Sequence, residues 1–104
     1  MPIYIYESHM GGIYFSDYEY DYDELYCETC GDYDLFIGTA NTTKEAIGHL
    51  VAYGMINIDD CGGYDLEYIL EQMGCFEESI TLEEAIEIAR EYKEYFDNEE
   101  ENNA

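Results

Sequence analysis

The chain has 104 residues, 26 of them Asp or Glu and only 3 Lys or Arg, for a formal net charge of −23. A small domain needs a charge magnitude of only about 2–8 for solubility, and the excess opposes compaction by self-repulsion. Yet 47% of the residues are hydrophobic and 13 are Tyr, which excludes an acidic disordered tail and leaves one domain with one modest core.

The first half of the chain reads as β. Ile3-Tyr4-Ile5-Tyr6 and Ile13-Tyr14-Phe15 are β-branched and aromatic runs parted by a segment ending in Gly11-Gly12, which signals a hairpin. Asp17-Tyr18-Glu19-Tyr20-Asp21-Tyr22-Asp23 follows, a strict alternation of acid and Tyr. In an extended ribbon it lines four carboxylates along one face and three tyrosines along the other. The chain then turns over Cys27–Gly31, and Leu35-Phe36-Ile37 with Thr39 reads as a further strand.

The second half reads as α. Thr42-Thr43-Lys44-Glu45 resembles a capping box opening a helix to about Tyr53, with Gly54 as its stop and Ala46, Ile47, Leu50 and Val51 as its apolar stripe. Gly62-Gly63 precedes a short helix near Asp65–Met73. Thr81-Leu82-Glu83-Glu84 is the clearest capping box, and the helix it starts has Leu82, Ala85, Ile86, Ala89 and Phe96 as its apolar face. The expected fold is α+β, an N-terminal antiparallel sheet of three or four strands with two or three helices packed on it. Residues 1–97 form the single domain, and 98–104 a frayed acidic tail.

The acids are unevenly placed. Nine lie between Glu7 and Asp34, eleven between Glu77 and Glu101, and six in the middle. Two patches result. One is the ribbon of Asp17, Glu19, Asp21 and Asp23, continued by Glu24, Glu28, Asp32 and Asp34. The other is the outer row of the last helix, where Glu84, Glu87, Glu91 and Glu94 recur at three or four residues. Same-face carboxylates recur roughly every 6.7 Å along a strand and about every 5 Å along a helix row. Duplex DNA carries one charge per roughly 1.7 Å of axis. Two adjacent acidic rows therefore approach the charge density of a nucleic-acid backbone, and a cationic groove built for phosphates gains affinity and on-rate from them. Tyr18, Tyr20 and Tyr22 are the interface anchors this reading supplies. The competing reading is a solvated, halophile-type coat, which need not be clustered.

Small, very acidic, Tyr-rich chains of this size resemble bacteriophage inhibitors of host DNA-targeting enzymes: anti-CRISPR proteins, anti-restriction DNA mimics and uracil-DNA glycosylase inhibitors. The likeness is one of composition over the whole chain. Tyr6-Glu7-Ser8-His9-Met10-Gly11-Gly12 and Tyr26-Cys27-Glu28-Thr29-Cys30-Gly31-Asp32 are also similar to segments of small phage-borne proteins without assigned activity. The resemblance implies an anti-defence role and transfers no residue roles.

Cys27-Glu28-Thr29-Cys30-Gly31 has the shape of a zinc knuckle. A structural zinc site needs four ligands, and Cys61, Cys75, His49 and His9 are the remaining candidates. The expectation is no bound cofactor, with zinc on Cys27, Cys30, Cys61 and Cys75 as the alternative. Redox chemistry is not expected, because neighbouring carboxylates raise thiol pKa values. Asp17, Glu19, Asp21, Asp23 and Glu28 match calcium-loop positions, but Tyr22 stands where the loop requires Gly. No phosphate-binding Gly loop, HExxH or GxSxG is present, so an enzyme is not expected.

No apolar run approaches the roughly 20 residues that span a bilayer, and Met1–Glu7 carries no basic flank or apolar stretch of a secretory signal. The expectation is a cytoplasmic protein that binds neither membrane nor nucleic acid directly. Its function is expected to be nucleic-acid mimicry, occluding the cationic channel of a CRISPR effector such as Cas9 or of a restriction nuclease. The alternative is an acidic adaptor or regulatory protein with a small zinc knuckle, binding a basic protein partner.

Overall fold

The computed structural model describes residues 2–57, 62–74, 76 and 79–102, the last five of these as backbone only. The element order is β1 (Ile3–Glu7), β2 (Ile13–Ser16), β3 (Leu35–Ala40), α1 (Thr43–Ala52), α2 (Leu66–Gln72) and α3 (Leu82–Asn102). The fold is α+β, as the sequence leads one to expect. An antiparallel sheet with β1 at its centre, in the order β2-β1-β3, is followed among the described residues by three helices.

The β1–β2 hairpin closes through the Ser8–Gly12 turn, in which Ser8 N–H donates to the Gly12 carbonyl at 2.9 Å. Gly12 is required twice over. Its φ of 107° lies where side chains are strained, and a Cβ there would come within 2.9 Å of the Tyr68 hydroxyl. β3 pairs with β1 with one irregularity: Ile5 faces Gly38 and Tyr6 faces Phe36, so Ile37 is an extra residue in the ladder.

Because strand side chains alternate, β1 serves two separate apolar layers. On one face Ile5 joins Ile13, Ile37 and Ala40 with Ala46, Ile47, Leu50, Ile69, Ala85 and Ala89 from the helices. α1 packs on α3 and β3, and α2 on α3 and β2. On the opposite face Tyr6 is only 1% exposed, although among the described residues β1 packs mainly on β2 and β3. Aromatic rings bury it. Tyr14 stacks at 5.2 Å between centroids, Tyr20 stands edge-on at 5.4 Å, and Phe36 tilts against it at 5.5 Å.

The helix starts match the sequence. Glu45 N–H donates to the Thr42 hydroxyl oxygen at 3.1 Å, and Glu84 N–H to that of Thr81 at 3.2 Å. Thr81 N–H donates in turn to the Glu84 carboxylate at 3.5 Å, closing the box reciprocally, and the Thr81 hydroxyl donates to the same oxygen at 3.1 Å. Three details differ from the sequence reading. Leu82 is 40% exposed, because as the first residue of α3 it precedes the turn that meets the core at Ala85. The backbone of α3 is helical through Asn102, beyond the Asp97 boundary. Asp17–Asp23 is not a strand. Tyr20 turns in to close over Tyr6, and the chain then folds back as Glu24 and Leu25 N–H groups donate to the Asp21 carbonyl at 2.9 and 3.2 Å. A ladder would have held the carboxylates in a fixed like-charge row, whereas the loop leaves all four exposed to water.

If the outer aromatic layer is a second core, Tyr6→Ala costs as much as emptying the helix-side core. The expected loss is about 3–5 kcal/mol, against about 2–5 kcal/mol for Leu50→Ala. Urea denaturation at fixed salt checks this, and a Tyr6→Ala cost below about 1 kcal/mol would contradict it.

Candidate functional site

Residues 17–34, between β2 and β3, form a lobe over the outer face of the sheet. Its first part is the acid/Tyr segment. Tyr20 N–H donates to the Tyr6 hydroxyl oxygen at 3.0 Å, and the Tyr20 ring packs on Tyr6, Tyr14 and Tyr18. Asp21 N–H donates to the Glu24 carboxylate at 3.0 Å, and the Tyr18 hydroxyl donates to the same oxygen at 3.2 Å. The second part is a small hairpin. Asp34 N–H donates to the Leu25 carbonyl at 3.0 Å, Cys27 N–H to the Asp32 carbonyl at 2.8 Å, and Tyr26 bridges to Tyr33. Tyr33 stacks on Tyr22 at 4.4 Å and meets Tyr26 at 4.8 Å.

The lobe is anionic without exception. Asp17, Glu19, Asp21, Asp23, Glu24, Glu28 and Asp32 are all exposed, Asp34 is half-buried, and no Lys or Arg occurs anywhere in residues 1–43. The three Lys and Arg are Lys44, Arg90 and Lys93, on α1 and α3. Among the described residues, large apolar side chains that remain exposed concentrate in the same stretch: Tyr18 (54%), Tyr22 (68%), Tyr26, Tyr33, Leu35 and Phe36. Tyr20 differs from its two neighbours, because it is spent on the Tyr6 stack. These exposed aromatics stand among carboxylates of one sign.

The helix row is real but weaker. Glu84, Glu87, Glu91 and Glu94 are exposed on the side of α3 away from the buried Ala85 and Ala89. Glu84 is committed to the Thr81 cap, and Arg90 and Lys93 share the helix. Of the two patches read from the sequence, the lobe has the greater and less compensated negative field.

A group of a different kind lies at the tip of the lobe. Gly31 N–H donates to the Cys27 carbonyl at 2.7 Å, closing a turn that needs the positive φ of Gly31, 74°. Donor atoms of Cys27, Cys30 and His9, the last from the β1–β2 turn, lie within 4.8 Å of one another. Asp34 holds His9 through one carboxylate oxygen, 2.6 Å from Nδ1 and 2.9 Å from the backbone N–H, and accepts the Tyr14 hydroxyl on the other at 2.5 Å. Burial pushes the Asp34 carboxyl up, but the bonds from Tyr14 and His9 outweigh it and the group lies below its ordinary value. The same contact raises His9 above its ordinary pKa, and burial and Asp34 together raise Tyr14. The Cys27 thiol is lowered, chiefly because its sulfur accepts the Cys30 N–H and thiol, while Cys30, the donor, is raised.

Cys61 and Cys75, the other two candidate ligands, lie outside the described residues. His49 is on α1 with its ring against Gly38, on the other side of the molecule's sheet from the lobe. His9 was the ligand candidate least distinguished by sequence, and its only signal was its place in a turn beside Gly11-Gly12. No protein-family model, curated protein or solved structure matches this chain. Among the described residues, no helix is long and apolar enough to cross a membrane.

Carboxylates this dense and uncompensated act against the folded state until salt screens them. Raising NaCl from about 0.01 M to 1 M shortens the screening length from about 30 Å to 3 Å. Thermal unfolding followed by circular dichroism is expected to show Tm rising by about 4–8 °C per kcal/mol of repulsion relieved. A Tm that is flat or falls with salt would contradict an uncompensated field.

Proposed function

We propose that this chain is a nucleic-acid-mimicking inhibitor of the phage anti-defence type, anti-CRISPR-like. It acts by occupying the cationic DNA- or guide-binding channel of a nuclease such as Cas9 or a restriction enzyme, in the cytoplasm of a bacterial host. What carries the reading is the lobe: eight carboxylates within residues 17–34, no Lys or Arg in the first 43 residues, and exposed tyrosines set among them. A channel evolved to neutralise phosphates gains by neutralising Asp17, Glu19, Asp21, Asp23 and Glu24, while Tyr18 and Tyr22 pack against its walls. The row of Glu84, Glu87, Glu91 and Glu94 extends the surface. Tyr20 contributes by holding the lobe in shape. The mechanism is competitive occlusion, without catalysis.

A second reading, an acidic adaptor carrying a zinc knuckle and binding a basic protein that is not a nuclease, draws on the convergence of His9, Cys27 and Cys30. Capture from a defence-positive bacterial lysate under washes of graded salt separates the two by what is retained: a nuclease or CRISPR effector for the first, another basic protein for the second.

The test of the first reading is charge reversal at residues with no structural role. Asp17, Glu19 and Asp23 are exposed. The triple variant Asp17→Lys, Glu19→Lys, Asp23→Lys is expected to keep its circular dichroism and to lose inhibition of DNA binding. The on-rate should fall by about 10–10³ at low salt, with a shallower salt dependence. Full inhibition by the folded variant would remove the lobe from the mechanism.

A further inference from the structure

We propose that His9, Cys27 and Cys30 form a zinc-binding site, with both cysteines as thiolates, His9 coordinating through Nε2, Asp34 as a positioning residue and water in the fourth position. The proposal is independent of what the acidic lobe binds.

Four observations carry it. The CxxC turn is already closed by the Gly31–Cys27 hydrogen bond, and its two sulfurs lie within 4.8 Å of each other. His9 comes from a different turn, eighteen residues before Cys27, and its donor atom falls within 4.8 Å of both sulfurs. In a tetrahedral site with Zn–S about 2.3 Å and Zn–N about 2.0–2.1 Å, donors stand roughly 3.5–3.8 Å apart, so closure needs movements of about 1 Å. Finally, the His9 ring is held by Asp34 at Nδ1, while Nε2 is buried without any hydrogen-bond partner. A buried ring nitrogen without a partner costs free energy. A carboxylate on one nitrogen with the other aimed at a metal is the recurrent arrangement of histidine ligands.

The donor set selects the metal. Two thiolates and an imidazole suit zinc, whereas calcium and magnesium take oxygen ligands, which this chain offers in abundance elsewhere. Binding releases the two thiol protons to solvent, and the two thiolates balance the charge of Zn²⁺, so the site adds no net charge to a crowded anionic lobe. Its structural effect is to tie the β1–β2 turn to the tip of the lobe.

Cobalt(II) titration of the reduced full chain tests this. One equivalent of Co²⁺ is expected to give thiolate-to-cobalt charge-transfer absorption and intense tetrahedral d–d bands, both erased by Zn²⁺. Cys27→Ser or Cys30→Ser should weaken the charge-transfer absorption while far-UV circular dichroism is kept. Asp34→Asn should retain the thiolate bands but lower affinity by about 10–100-fold, the usual cost of losing such a support. The Cys61→Ser/Cys75→Ser double variant should leave the spectrum unchanged. Weak octahedral absorption indifferent to Cys27 and Cys30 would mean carboxylate binding and overturn the proposal. Loss of the bands in the Cys61→Ser/Cys75→Ser variant would overturn this ligand set.

Discussion

A segment that carries eight carboxylates and no Lys or Arg is held against the sheet mainly by uncharged contacts that meet at the Tyr6 ring, with the Asp34 carboxylate tied to His9 and Tyr14 beside them. Tyr14, Tyr20 and Phe36 surround the Tyr6 ring, and its hydroxyl oxygen takes the Tyr20 N–H. Aromatic pairs contribute about 0.5–1.5 kcal/mol each beyond the area they bury, and they need no cationic partner. Salt bridges could not do the same work here without cancelling the field that the lobe displays. The high Tyr content and the extreme charge are thus one solution to one problem.

The same device recurs across the molecule. Tyr64 and Tyr68, stacked at 5.9 Å, reach from the segment around α2 to the β1–β2 hairpin. The Tyr64 hydroxyl takes the Gly12 N–H at 2.8 Å and donates to Glu7 at 2.9 Å, and Tyr68 takes the Ile13 N–H at 3.1 Å. A phenol supplies apolar area and a hydrogen bond without a charge, so it can anchor loops in a chain where nearly every charged partner is of one sign. The interior of the fold is ordinary, with Ile, Leu and Ala between sheet and helices. What is specialised is the outer face, where the rings of Tyr14, Tyr20 and Phe36 cover Tyr6.

The helices were legible because their signals are local. Thr42 and Thr81 cap as their spacing to Glu45 and Glu84 says, and the stripe of Ala46, Ile47 and Leu50 faces the core. The hairpin was legible for the same reason. Asp17–Asp23 was misread as an extended ribbon because a period of two reports alternation of side chains and says nothing of a partner strand. There is no ladder, and Tyr20 found a better place over Tyr6. Leu82 was misassigned by one helical turn, since a residue ahead of the first packed turn has little to touch. The approach of His9 to Cys27 and Cys30 was legible only as one candidate among four, because it depends on the lobe folding back onto the β1–β2 turn, a long-range event with no periodic signature. Of the three tyrosines read as displayed anchors, Tyr18 and Tyr22 are exposed, whereas the exposure of Tyr26 and Tyr33 was hidden, since composition cannot separate a core tyrosine from a displayed one.

Acidity spread for solvation and acidity displayed for a partner differ in where a cationic protein touches the chain. Hydrogen exchange of the full chain, alone and mixed with a cationic DNA-binding nuclease of the proposed kind, reads this directly. Expected is new protection concentrated in residues 17–36, with that of the α1–α3 pair changed little. Protection centred on α1 and α3 with residues 17–36 exchanging as in the free chain would contradict the central claim.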